Sequence, residues 1–450
     1  MLEKLSRAGF PVILSILFLA LSFFGYAGLA WWVEREDYQN LTLFFVCCFS
    51  GYAIWWFNRS FLSWRTILVF AVIFRALFLF DDTCRLSDDV YRFIWDAEQL
   101  AVGQNPYEWT PRQWAVQNPN TIFDEHDDLY SSLNSKEYYS VYPPVCQMVW
   151  SNSAWIAKLA GVGNSLGHRI IFLKIIYFII EITTLLLLVN ILLKRGQAGQ
   201  LAGIYALNPL IITEFTGNLH PEAMMILLLV MASLLAFSKR PLLASIPFGF
   251  AISTKFIPLL FVPFLAKQYG WKKTLLFGSL SVGVAALLFV PFVTGNLIHN
   301  ISSSLSLYYN MFEFNGSVYF VIRNLIEGIT GYNYIVYIGP ALALLLLFIV
   351  AYLYFKQKTT LSTCLMVYFF YLLSSTTVHP WYMSLPVVIA VFTTRRWPLV
   401  ASCAVMLSYY LYSFGKENWW IIGIEYTIIL GSVIWDEFYQ RKQMNLTDPS

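Results

Sequence analysis

Asp88-Asp89-Val90-Tyr91-Arg92-Phe93-Ile94-Trp95-Asp96, running on to Gly103-Gln104-Asn105-Pro106-Tyr107, is the first strongly polar stretch after three long apolar runs. Those runs lie at about 9–31, 40–57 and 65–80, and segments of that length cross a bilayer as helices. Two adjacent carboxylates beside a hydrocarbon layer are costly to keep there, so they mark a position with a purpose. Behind them Tyr91, Phe93, Trp95 and Leu100 recur between Arg92, Asp96, Glu98 and Gln99. That spacing predicts an amphipathic helix lying on the membrane surface, ended by the Gly/Asn/Pro sequence.

Composition agrees with the runs. The chain of 450 residues is 58% hydrophobic and 12% charged, where soluble domains hold about 45–50% and about 25%. Aromatic residues make up 18%, with Trp and Tyr concentrated near the ends of apolar runs, as in an interfacial belt. The fold class is therefore all-α and polytopic, one integral membrane domain over residues 1–450 embedded in the lipid bilayer. A net charge of +3 is too small to imply nucleic acid as a partner. Cys47, Cys48, Cys84, Cys146, Cys364 and Cys403 show no ligand spacing and read as small packing residues. Lys4 and Arg7 precede the first run without an A-x-A-like cleavage site, so an uncleaved first span is expected.

Charges in the connections orient the spans. With Lys4 and Arg7 inside, Arg59 and Arg65 are inside and residues 81–162 form a large outer loop, rich in acids that include Asp81, Asp82, Asp124, Asp127 and Asp128. Residues 141–162 carry a double proline and a lysine, so they read as an interfacial or re-entrant helix. That choice leaves Lys194, Arg195, Lys239, Arg240, Lys272 and Lys273 inside. Further spans are expected at about 170–193, 199–214, 221–238, 241–254, 256–267, 274–293, 333–355, 361–376, 382–393, 397–414 and 419–435. The total is about 12–14, with the short pair around Lys255 as broken helices lining a cavity. Residues 295–332 form a second outer loop.

The unusual polar clusters all fall on the outer side. Asp88 and Asp89 suit a general base that takes a proton from a hydroxyl, each carboxylate raising its neighbour's proton affinity; helix capping is the structural alternative. Tyr91 and Arg92 follow on the same helix, where Arg92 pairs with Asp96 four residues on or meets a lipid phosphate. Asn218, His220 and Glu222 occupy Gly-Asn-Leu-His-Pro-Glu at the end of a span. They suit hydroxyl recognition, proton transfer or a divalent cation, and equally the first turn of a helix begun by Pro221. Lys255 stands alone between two short apolar runs and suits a phosphate, or snorkels to the interface. His379, Trp381 and Tyr382 form a polar break with stacking walls. Tyr308, Tyr309, Glu313, Asn315 and Arg323 make a further patch, with Arg323 as a second phosphate ligand.

The order SDDVYRFIWDAEQLAVGQNPY, YYSVYPP, GNLHPE, ISTKFIPLLFVPF, FEFNGSVYFVIR and TVHPWY resembles bacterial integral-membrane mannosyltransferases of the GT-C fold, over about residues 81–390. More distantly, Asp88-x-x-Tyr91, Asp96-Ala97, Gly103-x-x-Pro106-Tyr107 and Tyr142-x-Pro144 are similar to the signature of GPI mannosyltransferase I. The resemblance implies an inverting glycosyltransferase of the cytoplasmic membrane, its active site facing outward. It would take a polyprenyl-phosphate sugar, usually mannose, and a glycan or glycolipid acceptor. The family's catalytic acid maps onto Asp88. Its second motif acid falls on Val90, and this chain offers Asp89 instead. The family's loop follows its first span, whereas three spans precede it here. The competing classes are a polar-lipid transporter or flippase, which calls for mid-membrane charges and related halves, and a GT-C ligase with another donor.

Overall fold

The first two apolar runs fold as a hairpin, Leu2–Trp31 against Tyr38–Phe57. The approach is close: a methyl group on Gly28 would collide with the Phe44 ring, and one on Gly51 with the Ser22 hydroxyl. Small residues at such crossings let helix backbones meet where lipid supplies no hydrophobic drive. Asp37 caps the second helix, its side chain accepting from the Asn40 amide at 3.3 Å, and Ser63 caps Trp64–Leu77 through the Thr66 amide at 3.2 Å.

The computed structural model describes residues 2–118, 128–161, 165–356 and 360–447, without the side chains of 2–10, 60, 128, 309, 360, 441 and 443–447. Asp124, Asp127 and the side chains of Lys4, Arg7, Asp128 and Tyr309, all weighed above, lie outside this description. The described residues are mostly helical, with no strand and one isolated bridge between Phe314 and Thr377.

Among the described residues, six helices are long and apolar enough to cross a membrane: Pro11–Trp31, Tyr38–Phe57, Leu166–Lys194, Trp271–Phe292, Ile335–Lys356 and Trp397–Phe414. Pro209–Gly217 and Glu222–Phe237 pass the same test together, but are bent by 113° at their junction. The run at 419–435 lies in the long helix Trp419–Thr447, and other apolar runs fold as shorter pieces, including Ser245–Ile252, Ile257–Tyr269, Leu361–Leu373 and Pro380–Ala390. The double-proline segment becomes the helix Pro144–Leu159, started by Pro144 in its first turn, where a missing N–H costs nothing.

Two buried ion pairs tie the core together, and hydropathy alone gave no sign of either. Arg75 donates to Glu181 at 3.0 and 3.2 Å, with both side chains fully buried, and the Tyr205 hydroxyl adds a bond to the same carboxylate at 2.6 Å. Lys174 reaches Asp81 and the carbonyls of Asp81 and Thr83. Basic connections gather at one end, where Arg59 and Arg396 lie over Trp56 and Arg195 over Phe237 and Phe392. Along the Tyr38–Phe57 helix, that end is opposite the connector holding Arg35.

Candidate active site

Three interruptions of helices meet at the other end. The first follows a π-helical turn, Ile212–Gly217, and runs through Asn218, Leu219, His220 and Pro221 to the helix Glu222–Phe237. Leu219 is fully buried at φ +64°, a left-handed conformation rare outside glycine and sustained here by surrounding packing. The second lies between Ser245–Ile252 and the turn Ile257–Phe261, and carries Ser253, Thr254 and Lys255. The Val145 amide donates to the Ser253 carbonyl at 3.0 Å, so the double-proline segment braces this break. The third, before Pro380–Met383, is held by the bridge in which the Val378 amide donates to Phe314 at 2.7 Å and the Phe314 amide to Thr376 at 3.1 Å. Irregular backbone at membrane depth is tolerated where it lines a cavity, and all three breaks do so.

The cavity has a volume of about 1330 Å³. Asp88, Asp89, Arg92, His220, Glu222, Lys255, His379, Trp381 and Tyr382 line it, although they come from four separate stretches of chain. Its lining also includes the apolar residues Phe256, Ile257, Leu260, Leu305, Leu344 and Leu347.

Asp88 sits at the N-cap of the helix Asp89–Ala101, yet its side chain makes no capping bond; the Ser87 hydroxyl takes the Asp89 amide instead, at 3.3 Å. The Asp88 carboxylate is bound by Arg35 at 2.5 Å. Asp89 accepts from Asn134 at 3.4 Å. Burial holds its carboxyl above the usual carboxylate range, Asp88 and Glu222 pushing the same way and His220 and Asn134 the other.

Deeper in, Lys255 donates to Glu222 and lies 4.0 Å from the centre of the Tyr382 ring. Glu222 Oε2 has no partner. His220 is fully buried; its Nε2 lies 3.3 Å from Glu214 but off hydrogen-bond alignment, so both ring nitrogens lack a partner. Its imidazole stacks on Trp381 with centroids 3.5 Å apart, and His379 stacks on the same indole at 4.4 Å. His379 Nδ1 meets the Tyr412 hydroxyl at 2.8 Å. Burial, with His220 and Lys255 nearby, pushes the His379 imidazole down to about 3, so it is neutral in the resting site.

Arg92 takes the pairing expected of its helix, bonding Asp96 at 2.7 Å, and adds the Ser135 and Tyr138 carbonyls; its Nη2 stays buried without a partner. Asp96 also accepts from Ser140 and from Gln147, while the Tyr107 hydroxyl donates to the Tyr142 carbonyl at 2.7 Å. These residues brace the outer segment beneath the acids.

Three other expected site residues do not line the cavity. Asn218 is a tie, accepting from the Leu86 amide at 3.2 Å and donating to Glu214 at 3.2 Å. Arg323 is held between Glu313, which lines the cavity, and Glu417, so its charge is taken up by carboxylates. Tyr91 is half-buried in packing against the core. Among the described residues no three His, Cys, Asp or Glu side chains converge to hold a metal ion. Tyr308 and Glu313, of the patch read from the second outer loop, line the cavity, and so do Arg35, Asn134 and Tyr412, which were not singled out from sequence. Arg35 had a signal, since its charged connector falls on the outer side by the same charge count.

A family model described as alpha-(1->6)-mannopyranosyltransferase, N-terminal domain, matches residues 19–269. No curated protein and no solved structure matches the chain. The matched span holds Arg35, Asp88, His220, Glu222 and Lys255, whereas His379, Trp381 and Tyr412 lie beyond it. It begins inside the first helix, so the N-terminal hairpin contributes to the matched region. With more than half of its length matched, with acids, cations and stacking rings around one cavity, and with several helices apolar enough to cross a membrane, the chain belongs to the alpha-(1->6)-mannopyranosyltransferase family and is a membrane glycosyltransferase.

Proposed function

We propose that the cavity moves a mannosyl group from a polyprenyl-phosphate donor to a hydroxyl of a glycan or glycolipid, with inversion, and that Asp88 is the general base. The carrying observation is that Asp88 and Lys255 line the same cavity, whose lining also carries apolar side chains. Asp88 takes the acceptor proton, the acceptor oxygen bonds to the sugar C1, and the C1–O bond to phosphate breaks with its electron pair leaving on the phosphate. Lys255 meets the phosphate charge, the apolar side chains receive the prenyl chain, and Trp381 with Tyr382 presents faces to the sugar. An α-linked product formed with inversion requires a β-linked donor, and a 1→6 linkage requires a primary hydroxyl on the acceptor.

The outward-facing assignment in the cytoplasmic membrane rests on the positive-inside rule. Support comes from the gathering of Arg59, Arg195 and Arg396 at the end away from the cavity. A GT-C architecture is the corresponding fold reading. The test is purified Asp88→Asn protein with synthetic polyprenyl-phosphate mannose and a mannoside acceptor, product followed by mass spectrometry. A loss of about 1,000-fold in turnover with unchanged melting supports the assignment; unchanged turnover ends it.

A further inference from the structure

We propose that Arg35, from the connector between the first two helices, is a positioning residue for transfer, holding Asp88 in its reactive orientation; the inference rests on the reading of Asp88 as base. A carboxylate at a helix N-cap is normally fixed by its own helix amides. Asp88 is not, because its side chain makes no capping bond and Ser87 takes that role. The hold comes instead from Arg35 Nη2 on Asp88 Oδ2 at 2.5 Å. Oδ1 accepts no hydrogen bond from the described residues, so one oxygen is clamped while the other is free for the acceptor hydroxyl. Both side chains line the cavity.

Arg35 is itself built in. The Ser413 hydroxyl donates to the Arg35 carbonyl at 2.5 Å. Its guanidinium carbon lies 5.5 Å from the centre of the Tyr412 ring. Three residues along, Tyr38 packs on Tyr410 and Phe414 with centroids 5.3 and 6.1 Å apart. The connector is thus seated on the helix Tyr409–Phe414, whose Tyr412 also holds His379. An ordinary exposed ion pair contributes little and lacks such an anchorage. Here two ends of the chain converge to aim one carboxylate. Misplacing a reacting group by about 1 Å costs about 100-fold in rate, which sets the expected effect.

The experiment compares wild type, Arg35→Ala, Arg35→Lys and Asp88→Asn, with synthetic polyprenyl-phosphate mannose as donor and an alkyl mannoside as acceptor. Arg35→Ala is expected to lower kcat about 100-fold with KM for the donor within about twofold. Arg35→Lys should keep part of the rate, and free guanidinium added to Arg35→Ala should restore part of it. Melting temperatures in detergent are measured in parallel. An Arg35→Ala protein as active as wild type overturns the inference while an inactive Asp88→Asn leaves the base assignment standing. Loss that tracks a lowered melting temperature and ignores guanidinium also overturns it, because that is the mark of a merely structural pair. An active Asp88→Asn protein removes the base assignment, and the inference with it.

Discussion

Lys255 and Glu222 form an ion pair whose two members are unequally placed: the Glu222 side chain is 2% exposed and that of Lys255 is 27%. The carboxylate is set into the wall and the ammonium stands over Tyr382 towards the cavity, so the cation is available to a ligand with its countercharge behind it. Removing the cation should therefore hurt transfer and folding by separate routes. Lys255→Met is expected to lower kcat/KM for the lipid-phosphate donor about 100-fold, about 2.7 kcal/mol of transition-state stabilisation. It also leaves a buried carboxylate without its partner, which is destabilising. Adding Glu222→Gln should recover the melting temperature without recovering the rate, as read by donor-varied initial rates and detergent melts.

Asp89 offers a pH test of stability. Its folded-state carboxyl is raised by burial, so the native protein binds a proton more readily than the unfolded chain. That cost to the folded state is absent below the unfolded value of about 4, and grows as pH rises through the window up to the folded value. Asp89→Asn removes the titration. The difference in melting temperature, variant minus wild type, should become more positive between about pH 4 and pH 7. A flat difference across that range contradicts the expectation.

His379, pushed down to about 3, should not titrate during turnover. His379→Asn is expected to lower the rate about tenfold, by losing the stack on Trp381 and loosening Tyr412. The shape of the pH–rate curve between about 5 and 8 should stay the same. A limb near 6.5 that disappears in the variant would mean that His379 carries a proton in the working enzyme.

Arg75 and Glu181 supply a fold test remote from chemistry. Both are fully buried, so Arg75→Met strands a carboxylate among apolar neighbours and should destabilise by about 3–5 kcal/mol. Arg75→Met combined with Glu181→Leu should regain most of that loss. Melting of the two singles and the double gives the coupling directly.

Much of the site was legible because its residues break the apolar pattern. Asp88, His220, Lys255 and His379 each interrupt or end a run, and the charge count put them on one side; the structure gathers them around one cavity. Arg323 broke the pattern too, but sequence shows a charge and not its neighbours, and Glu313 with Glu417 takes up that charge. Glu181 and Lys174 were hidden inside a run hydrophobic enough to average them away, while their partners Arg75 and Asp81 lie about a hundred residues upstream. Arg35 was passed over because a charged connector of four residues looks like an ordinary turn. Hydropathy likewise gave separate runs at about 199–214 and 221–238 without the 113° angle between them, since that angle depends on a π turn and on Leu219 held at φ +64°.

The bond from Ser413 to the Arg35 carbonyl joins residues 378 positions apart. A ribosome making about 5–20 residues per second needs on the order of a minute to travel between them. During that interval the first hairpin and the Asp88 segment can already be in the membrane, while the helix that seats Arg35 does not yet exist. On the role proposed for Arg35, transfer competence is an end-of-synthesis property. On the same reading, a chain stopped short of Tyr412 lacks the seat of Arg35 and is expected to be inactive in transfer.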